Sequence, residues 1–476
     1  MRNRCLRAAS LFILAMSVVS SCLTASAQQS PTLPTDLRTR RFGSDWSQFL
    51  GPNQDSKSSE TGIITDWSDE DGTPKLKIKW QMPLKQSYGT CTTSRGRLFQ
   101  FDSEPARASR HGKLLGKVLC LNSETGQEIW KYTYEYDYAD QYGYNNGPRN
   151  SPIVDGDRVY AYGVDGRLIC ININTGKEVW SAETVETFGV VQNFFGVGSN
   201  PIVTGDLVIA MVGGSPEGTR RIDTAKGNGS GIVAFDKITG KVRYKLSDEL
   251  ASYASLKQVS ALGRSWCFAF VRGGLLGFNT TNGKEDFFFP WRATVLESVN
   301  ASVPVVFDNQ VFISETYGPG SALLDFSKID DGKPRVVWQD KARSRSKAMQ
   351  THWNTAIYHD GYLYGSSGRH QYNAELRCIE AKTGKVMWSR DGLSRCSLLY
   401  VDGHLICLSE VGVALLLKAT PDKFSEVSRL MLKDGDEPLL KPPAWAAPVL
   451  SHGLLYLRGK DRLVCLELIP PKKSAG

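Results

Sequence analysis

The stretch Leu168-Ile-Cys-Ile-Asn-Ile-Asn-Thr-Gly-Lys-Glu-Val-Trp180 reads as a β-hairpin. A short apolar strand leads into a turn at Asn174-Thr-Gly-Lys177, and a second strand ends in Trp180. Gly176 suits a turn that needs positive φ, and the flanking residues alternate apolar and polar side chains. The phrase recurs as Glu124-Thr-Gly126 before Trp130, Ile238-Thr-Gly240 before Tyr244 and Thr281-Asn-Gly283 before Phe287. It recurs again as Asp331-Gly332 before Trp338 and Lys382-Thr-Gly384 before Trp388, with a degraded copy at Pro421-Asp-Lys423.

Several copies follow an earlier hairpin, such as Ile153-Val-Asp-Gly-Asp-Arg-Val159 or Tyr400-Val-Asp-Gly-His-Leu405. Two hairpins per repeat make a four-stranded antiparallel unit, and units of this length are propeller blades. The last repeat stops after strands near residues 448–450, 454–457 and 463–468. At the other end, Leu76-Lys-Ile-Lys-Trp80 bears a tryptophan with nothing before it to pair with. The expectation is an all-β, eight-bladed β-propeller over residues 76–469, closed by the N-terminal strand joining the last blade. An irregular arm, residues 28–75, precedes it, with Trp46 and Phe49 as anchors to the body. Residues 470–476 form a tail.

Arg2, Arg4 and Arg7 precede an apolar run at residues 8–19, too short to span a bilayer. Ala25-Ser-Ala27 fits signal-peptide cleavage, giving a signal peptide over residues 1–27, and Cys22 offers lipoprotein processing and a lipid anchor as the alternative. Either reading makes the protein exported, periplasmic or extracellular. The formal net charge of +8 is spread over 476 residues without blocks of like charge, which argues against nucleic-acid binding. Cys120, Cys170, Cys378 and Cys465 hold the same place in their repeats and read as small core residues.

In a blade of strands A to D, the A–B and C–D turns lie on one face and the B–C and D–A connections on the other. The long segments, 102–116, 133–149, 182–199, 213–230, 340–352 and 433–445, all fall on the second face. Binding is expected there.

The repeated core, apolar-x-apolar-x-x-x-Thr-Gly-Lys-x-x-Trp, resembles the tryptophan-docking repeat of the quinoprotein (PQQ) β-propellers, and the match runs over residues 45–468. The phrases Asp45-Trp-Ser-Gln-Phe-Leu-Gly-Pro-Asn53, Gly147-Pro-Arg149 and Ala447-Pro448 are similar to those of exported PQQ-like repeat proteins of unassigned function. A looser resemblance is to the BamB-type propeller of outer-membrane protein assembly. The resemblance implies blades interlocked through Trp80, Trp130, Trp180, Trp338 and Trp388, with Tyr244 and Phe287 as substitutes. For the dehydrogenases of that superfamily it implies PQQ and Ca²⁺ in the channel mouth. This chain has no adjacent cysteine pair and no haem motif.

Two clusters on the long-loop face are candidate sites. The loop Tyr134-Glu-Tyr-Asp-Tyr-Ala-Asp-Gln-Tyr-Gly-Tyr-Asn-Asn-Gly-Pro-Arg149 sets Tyr136, Tyr138 and Tyr144 beside carboxylates and ends in Arg149, which points toward the channel. Rings beside acceptors suit a sugar, a peptide or a cation. The second cluster holds Lys341, Arg343, Arg345 and Lys347, then His352, Trp353 and Asn354, with Arg369 and His370 across the hairpin. Its neighbours are cationic, so it reads as an anion-accepting patch rather than a metal site. Trp353 and Trp445, each at the start of an inner strand, stack on a channel ligand or plug the channel. No catalytic constellation is recognisable.

The functional expectation is a monomeric binding module that takes a small molecule, a glycan or an envelope protein through the long-loop face, without catalysis and with no transmembrane span. The alternatives are a PQQ/Ca²⁺ oxidoreductase acting on an alcohol or sugar, and an envelope assembly scaffold.

Overall fold

The computed structural model describes residues 33–106 and 112–471. It contains eight four-stranded antiparallel sheets arranged as a β-propeller. Blade 1 runs over residues 92–136, blade 2 over 153–183, blade 3 over 202–246 and blade 4 over 257–290. Blades 5, 6 and 7 follow at 305–339, 357–390 and 396–430. Blade 8 takes its first three strands from Val449–Ser451, Leu454–Arg458 and Arg462–Glu467, and its outer strand from Ile78–Pro83. The ring therefore closes as expected, on a tryptophan strand drawn from the other end of the chain.

The hairpin phrase forms the joint between blades. At five joints the docking ring donates a hydrogen bond to the carbonyl three residues before the turn glycine of the next blade. Trp80 Nε1 reaches Ser123 O at 2.9 Å, Trp130 reaches Ile173 O at 2.8 Å and Trp180 reaches Lys237 O at 3.1 Å. Tyr244 does the same through its hydroxyl, 2.6 Å from Thr280 O, and Trp338 reaches Ala381 O at 2.8 Å. The glycine is required twice over. Gly176 has φ +68°, and a Cβ there would lie 2.8 Å from the Trp130 ring. Gly126, Gly240, Gly283 and Gly384 meet Trp80, Trp180, Tyr244 and Trp338 in the same way.

Four cysteines, Cys120, Cys170, Cys378 and Cys465, sit in the row that supports these rings. Cys120 lies between Phe99 and Trp130, Cys170 between Tyr160 and Trp180, and Cys465 between Tyr456 and Trp80. A small apolar side chain between two large rings packs the sheet face without crowding. The eight described cysteines are buried thiols.

Three joints depart from the pattern. Trp388 keeps the hydrogen bond, to Thr420 O at 2.9 Å, but the turn it meets, Pro421-Asp-Lys423, has no glycine. The Asp331-Gly332 turn ends two long strands, Gly320–Asp330 and Lys333–Gln339, and a Cβ at Gly332 would meet nothing within 4 Å. The turn meets blade 4 through its backbone instead, Gly332 O accepting from Phe288 N–H at 3.2 Å. In blade 7, Ser428 stands opposite Leu416, where the other blades carry the docking ring. The arm compensates. The backbone N–H of its fully buried Trp67 donates to Ser428 Oγ (2.9 Å), while Ile64 N–H donates to Leu468 O beside blade 8 (2.9 Å).

Further along, the arm crosses the ring. Trp46 exchanges hydrogen bonds with Thr93 in the first strand of blade 1, and Ser47 O accepts from Val154 of blade 2. Gln54 bonds Leu256 O and Gln258 N–H in blade 4, and Ser56 and Ser58 bond Leu398 and Tyr400 of blade 7. The first strands are innermost, so a segment touching four of them spans the channel. Lys257 locks it, donating to Asn53 O and Gln54 O from a site where burial lowers its pKa to about 8.

One loop expectation is corrected. Residues 102–116 are largely hairpin: Asp102 pairs with Lys117 and Pro105 with Leu114. The polar residues that suggested a loop are matched across the strands, with Lys117 Nζ 3.0 Å from Glu104 Oε2.

The two demands on the docking glycine separate experimentally. Gly156→Ala, at φ +60° with nothing within 4 Å of the new Cβ, is expected to cost about 1 kcal/mol from backbone strain alone. Gly176→Ala adds a collision with Trp130 and is expected to cost roughly 2–4 kcal/mol. Denaturant unfolding of the two variants checks this; equal losses would mean that ring contact is not what selects glycine.

Candidate functional site

The first strands begin on the long-loop face, and the residues just ahead of them surround a cavity of about 690 Å³ on the ring axis. All eight blades contribute. Thr90, Arg149, Asn200 and Ser255 come from blades 1 to 4; Ala301, Thr355, Leu398 and Ala447 come from blades 5 to 8. Phe49 and Leu50 of the arm also line it and form its floor, because the arm plugs the other end of the channel.

A run of ring contacts forms the wall. Tyr253 touches Phe195 (centroids 5.4 Å apart), Phe195 touches Tyr144 (5.9 Å) and Tyr144 touches Trp445 (6.1 Å). Trp445 packs on Trp353 (4.9 Å), Trp353 on His352 (5.0 Å) and His352 on Tyr317 (5.7 Å). Four of the rings share one repeat position: Tyr88, Tyr253, Trp353 and Trp445 each stand four residues before a first strand.

Of the residues expected from sequence, Tyr144, Arg149, His352, Trp353, Asn354, Arg369, His370 and Trp445 line the cavity. Asn354 does so with its amide already engaged, donating to Ser366 O at 2.9 Å. Tyr136 and Tyr138 do not line it. The alternation Tyr132-Thr-Tyr-Glu-Tyr136 is a strand pattern, and the last strand of blade 1 carries Tyr136 inward, its hydroxyl donating to Asn146 O at 2.9 Å. Tyr138 is buried beside Arg149. Lys347, placed in the basic cluster, is also buried and caps Lys341 O and Ala342 O. Tyr88, Phe194, Phe195, Tyr253, Tyr317 and Arg395 were not foreseen; the shared position before the first strand would have found Tyr88 and Tyr253.

Three arginines reach the cavity, and two are neutralised. Arg149 is bound to the fully buried Asp140 of its own loop. Arg395 makes a two-point contact with Glu410 and lies over the Trp353 ring at 4.2 Å. Arg369 stacks on Tyr317 at 4.3 Å and has no ion-pair partner among the described residues. His352 adds no charge: burial and the guanidiniums of Arg395 and Arg369 push its pKa down to about 3. Behind Tyr317, burial raises the Glu315 carboxyl to about 7 while Arg369 and Arg292 oppose the shift.

The donor set does not fit a calcium–quinone pair. Ca²⁺ takes six to eight oxygens, carboxylates foremost. Here Asp140 and Glu410 are committed to arginines, leaving Glu297 as the exposed carboxylate lining the cavity. No cluster of three or more His, Cys, Asp or Glu side chains suited to a metal occurs among the described residues. No described helix is long and apolar enough to cross a membrane, and the signal-peptide and Cys22 readings lie outside the described residues.

Among solved structures, BamB from Moraxella catarrhalis superposes with a TM-score of 0.56 at 13% identity, covering 83% of this chain and 100% of that one. The quinohemoprotein alcohol dehydrogenase ADHIIG from Pseudomonas putida HK5 superposes with a TM-score of 0.60 at 13% identity, covering 89% and 80%. These likenesses concern the fold. No curated protein sequence matches significantly. The model of the family described as "Outer membrane protein assembly factor BamB" matches residues 114–390. With more than half of its length so matched, the chain belongs to this family of BamB-like, PQQ-repeat propellers.

Proposed function

We propose that this protein is an exported, non-catalytic binding module that takes a ring-bearing small molecule into the axial cavity from the long-loop face. The observation that carries the reading is the cavity itself: blind at the arm, open at the other face and walled by contiguous aromatic rings from several blades. A preformed concave site with a few polar groups among rings is the usual form of a small-molecule site. Tyr142 and Tyr144, 53% and 57% exposed, stand at the mouth, where an incoming ligand meets them first. The export element rests on the N-terminal sequence pattern.

Trp353 and Trp445 make the cavity self-reporting. Titration with a panel of sugars and cyclic organic acids is expected to give a saturable change in tryptophan fluorescence for at least one class. Trp445→Leu should weaken that binding at least tenfold, the loss of a stacking contact. Undiminished binding by the variant would place the ligand elsewhere. Incubation with PQQ and Ca²⁺ is expected to give no dye reduction with alcohols or sugars; turnover would overturn the non-catalytic reading.

The wall should also show a pH signature. Native Glu315 holds its proton up to about pH 7, whereas the unfolded chain releases it near 4.5, the ordinary glutamate value. Between those values the native state binds more protons, so this group lowers stability as pH rises through the window. Glu315→Gln should match wild type in melting temperature near pH 4.5 and exceed it at pH 8. A constant gap across that range would refute the assignment.

A further inference from the structure

We infer that the ligand is an acidic saccharide, a sugar ring carrying a carboxylate or sulfate, with Arg369 as the group that reads its charge. This rests on the axial cavity being the binding site. Charge is the first argument. Arg149 and Arg395 are balanced by Asp140 and Glu410, and His352 is neutral, so Arg369 carries the cavity's free guanidinium charge among the described residues. Arg369 is exposed, its guanidinium lies 4.3 Å from the Tyr317 ring centre, and its backbone carbonyl accepts from Arg395 Nη1 at 3.0 Å. An anchored, unpaired guanidinium is suited to a two-point contact with a planar carboxylate or a sulfate.

Ring geometry is the second argument. A flat aromatic acid is best held between parallel faces. Neighbouring rings here are tilted instead: Trp353 and Trp445 by 48°, Tyr144 and Trp445 by 58°, Tyr144 and Phe195 by 66°. Such facets offer separate platforms to successive puckered rings, whose C–H faces lie on aromatic surfaces while their hydroxyls point aside. Those hydroxyls have partners at hand. Tyr142 and Tyr144 bring phenol groups to the mouth, and Glu297 brings a carboxylate acceptor. A wall rich in rings, with phenols, a carboxylate and a guanidinium exposed among them, suits a polyhydroxylated occupant better than an apolar one.

Isothermal titration calorimetry on the full mature chain tests this with three probes: a short oligogalacturonate, its fully methyl-esterified form, and benzene-1,3,5-tricarboxylate. The expected result is that the oligogalacturonate binds at least about tenfold more tightly than the ester, the worth of one charge-assisted contact. Arg369→Gln should erase that difference and its salt dependence, bringing the acid down to the affinity of the ester, at an unchanged melting temperature. Trp353→Leu should weaken both saccharides. Equal binding of acid and ester by wild type would overturn the charge reading and leave the binding module standing. Tighter binding of the tricarboxylate would overturn the saccharide class alone. No binding of any probe would overturn the proposal, and silence across the broader fluorescence panel as well would overturn the module with it.

Discussion

The ring depends on a contact between an indole and a glycine. At each regular joint, a tryptophan or tyrosine donates to a carbonyl in the next blade and lies flat where the turn glycine has no side chain. Hydrogen bond and surface contact are met by the same few residues, so one short phrase specifies both the local turn and the attachment of the neighbouring blade. A blade alone is a small sheet with two uncovered faces; the repeated joint makes it part of a continuous core. Where the phrase fails at Ser428, the arm's Trp67 covers the junction between blades 7 and 8.

That economy explains why the architecture could be read from sequence. Turn geometry, cross-strand packing and blade docking all impose their demands on the same Thr-Gly-Lys-x-x-Trp segment, so the segment recurs and the blades can be counted. The cysteines were legible for the same reason, as small residues between Phe99 and Trp130 or Tyr160 and Trp180. The extended hairpin at residues 102–116 was not, because its polar residues are satisfied across the strands and resemble a loop when taken one strand at a time.

The site was legible only in part. Trp353 and Trp445 stood out because tryptophan is rare and each precedes an inner strand. Tyr253 and Phe195 look unremarkable in sequence, and their importance comes from which blades the ring brings together. Tyr136 and Tyr138 misled because a tyrosine-rich stretch suggests a loop surface, whereas the strand continues through Tyr136 and turns it inward. Phe49 was legible as an anchor of the arm, but its place with Leu50 on the cavity floor was not, since the arm's path across the channel is set by contacts with blades as far apart as 1, 4 and 7.

The same separation bears on chemistry. Docking residues lie on the outer strands and recur because every joint poses the same problem. Cavity residues lie ahead of the inner strands, where eight equivalent positions face one shared space. That space gains nothing from eight copies of one side chain, and the positions ahead of the first strands accordingly hold Tyr88, Arg149, Gly198, Tyr253, Ala301, Trp353, Arg395 and Trp445, all of which line it. Glycine and alanine leave room while aromatic and arginine side chains fill it, making the cavity asymmetric inside a symmetric ring. Selectivity on such a scaffold arises from breaking the repeat, and the two committed ion pairs sharpen it further by leaving Arg369 as the uncompensated arginine among the three.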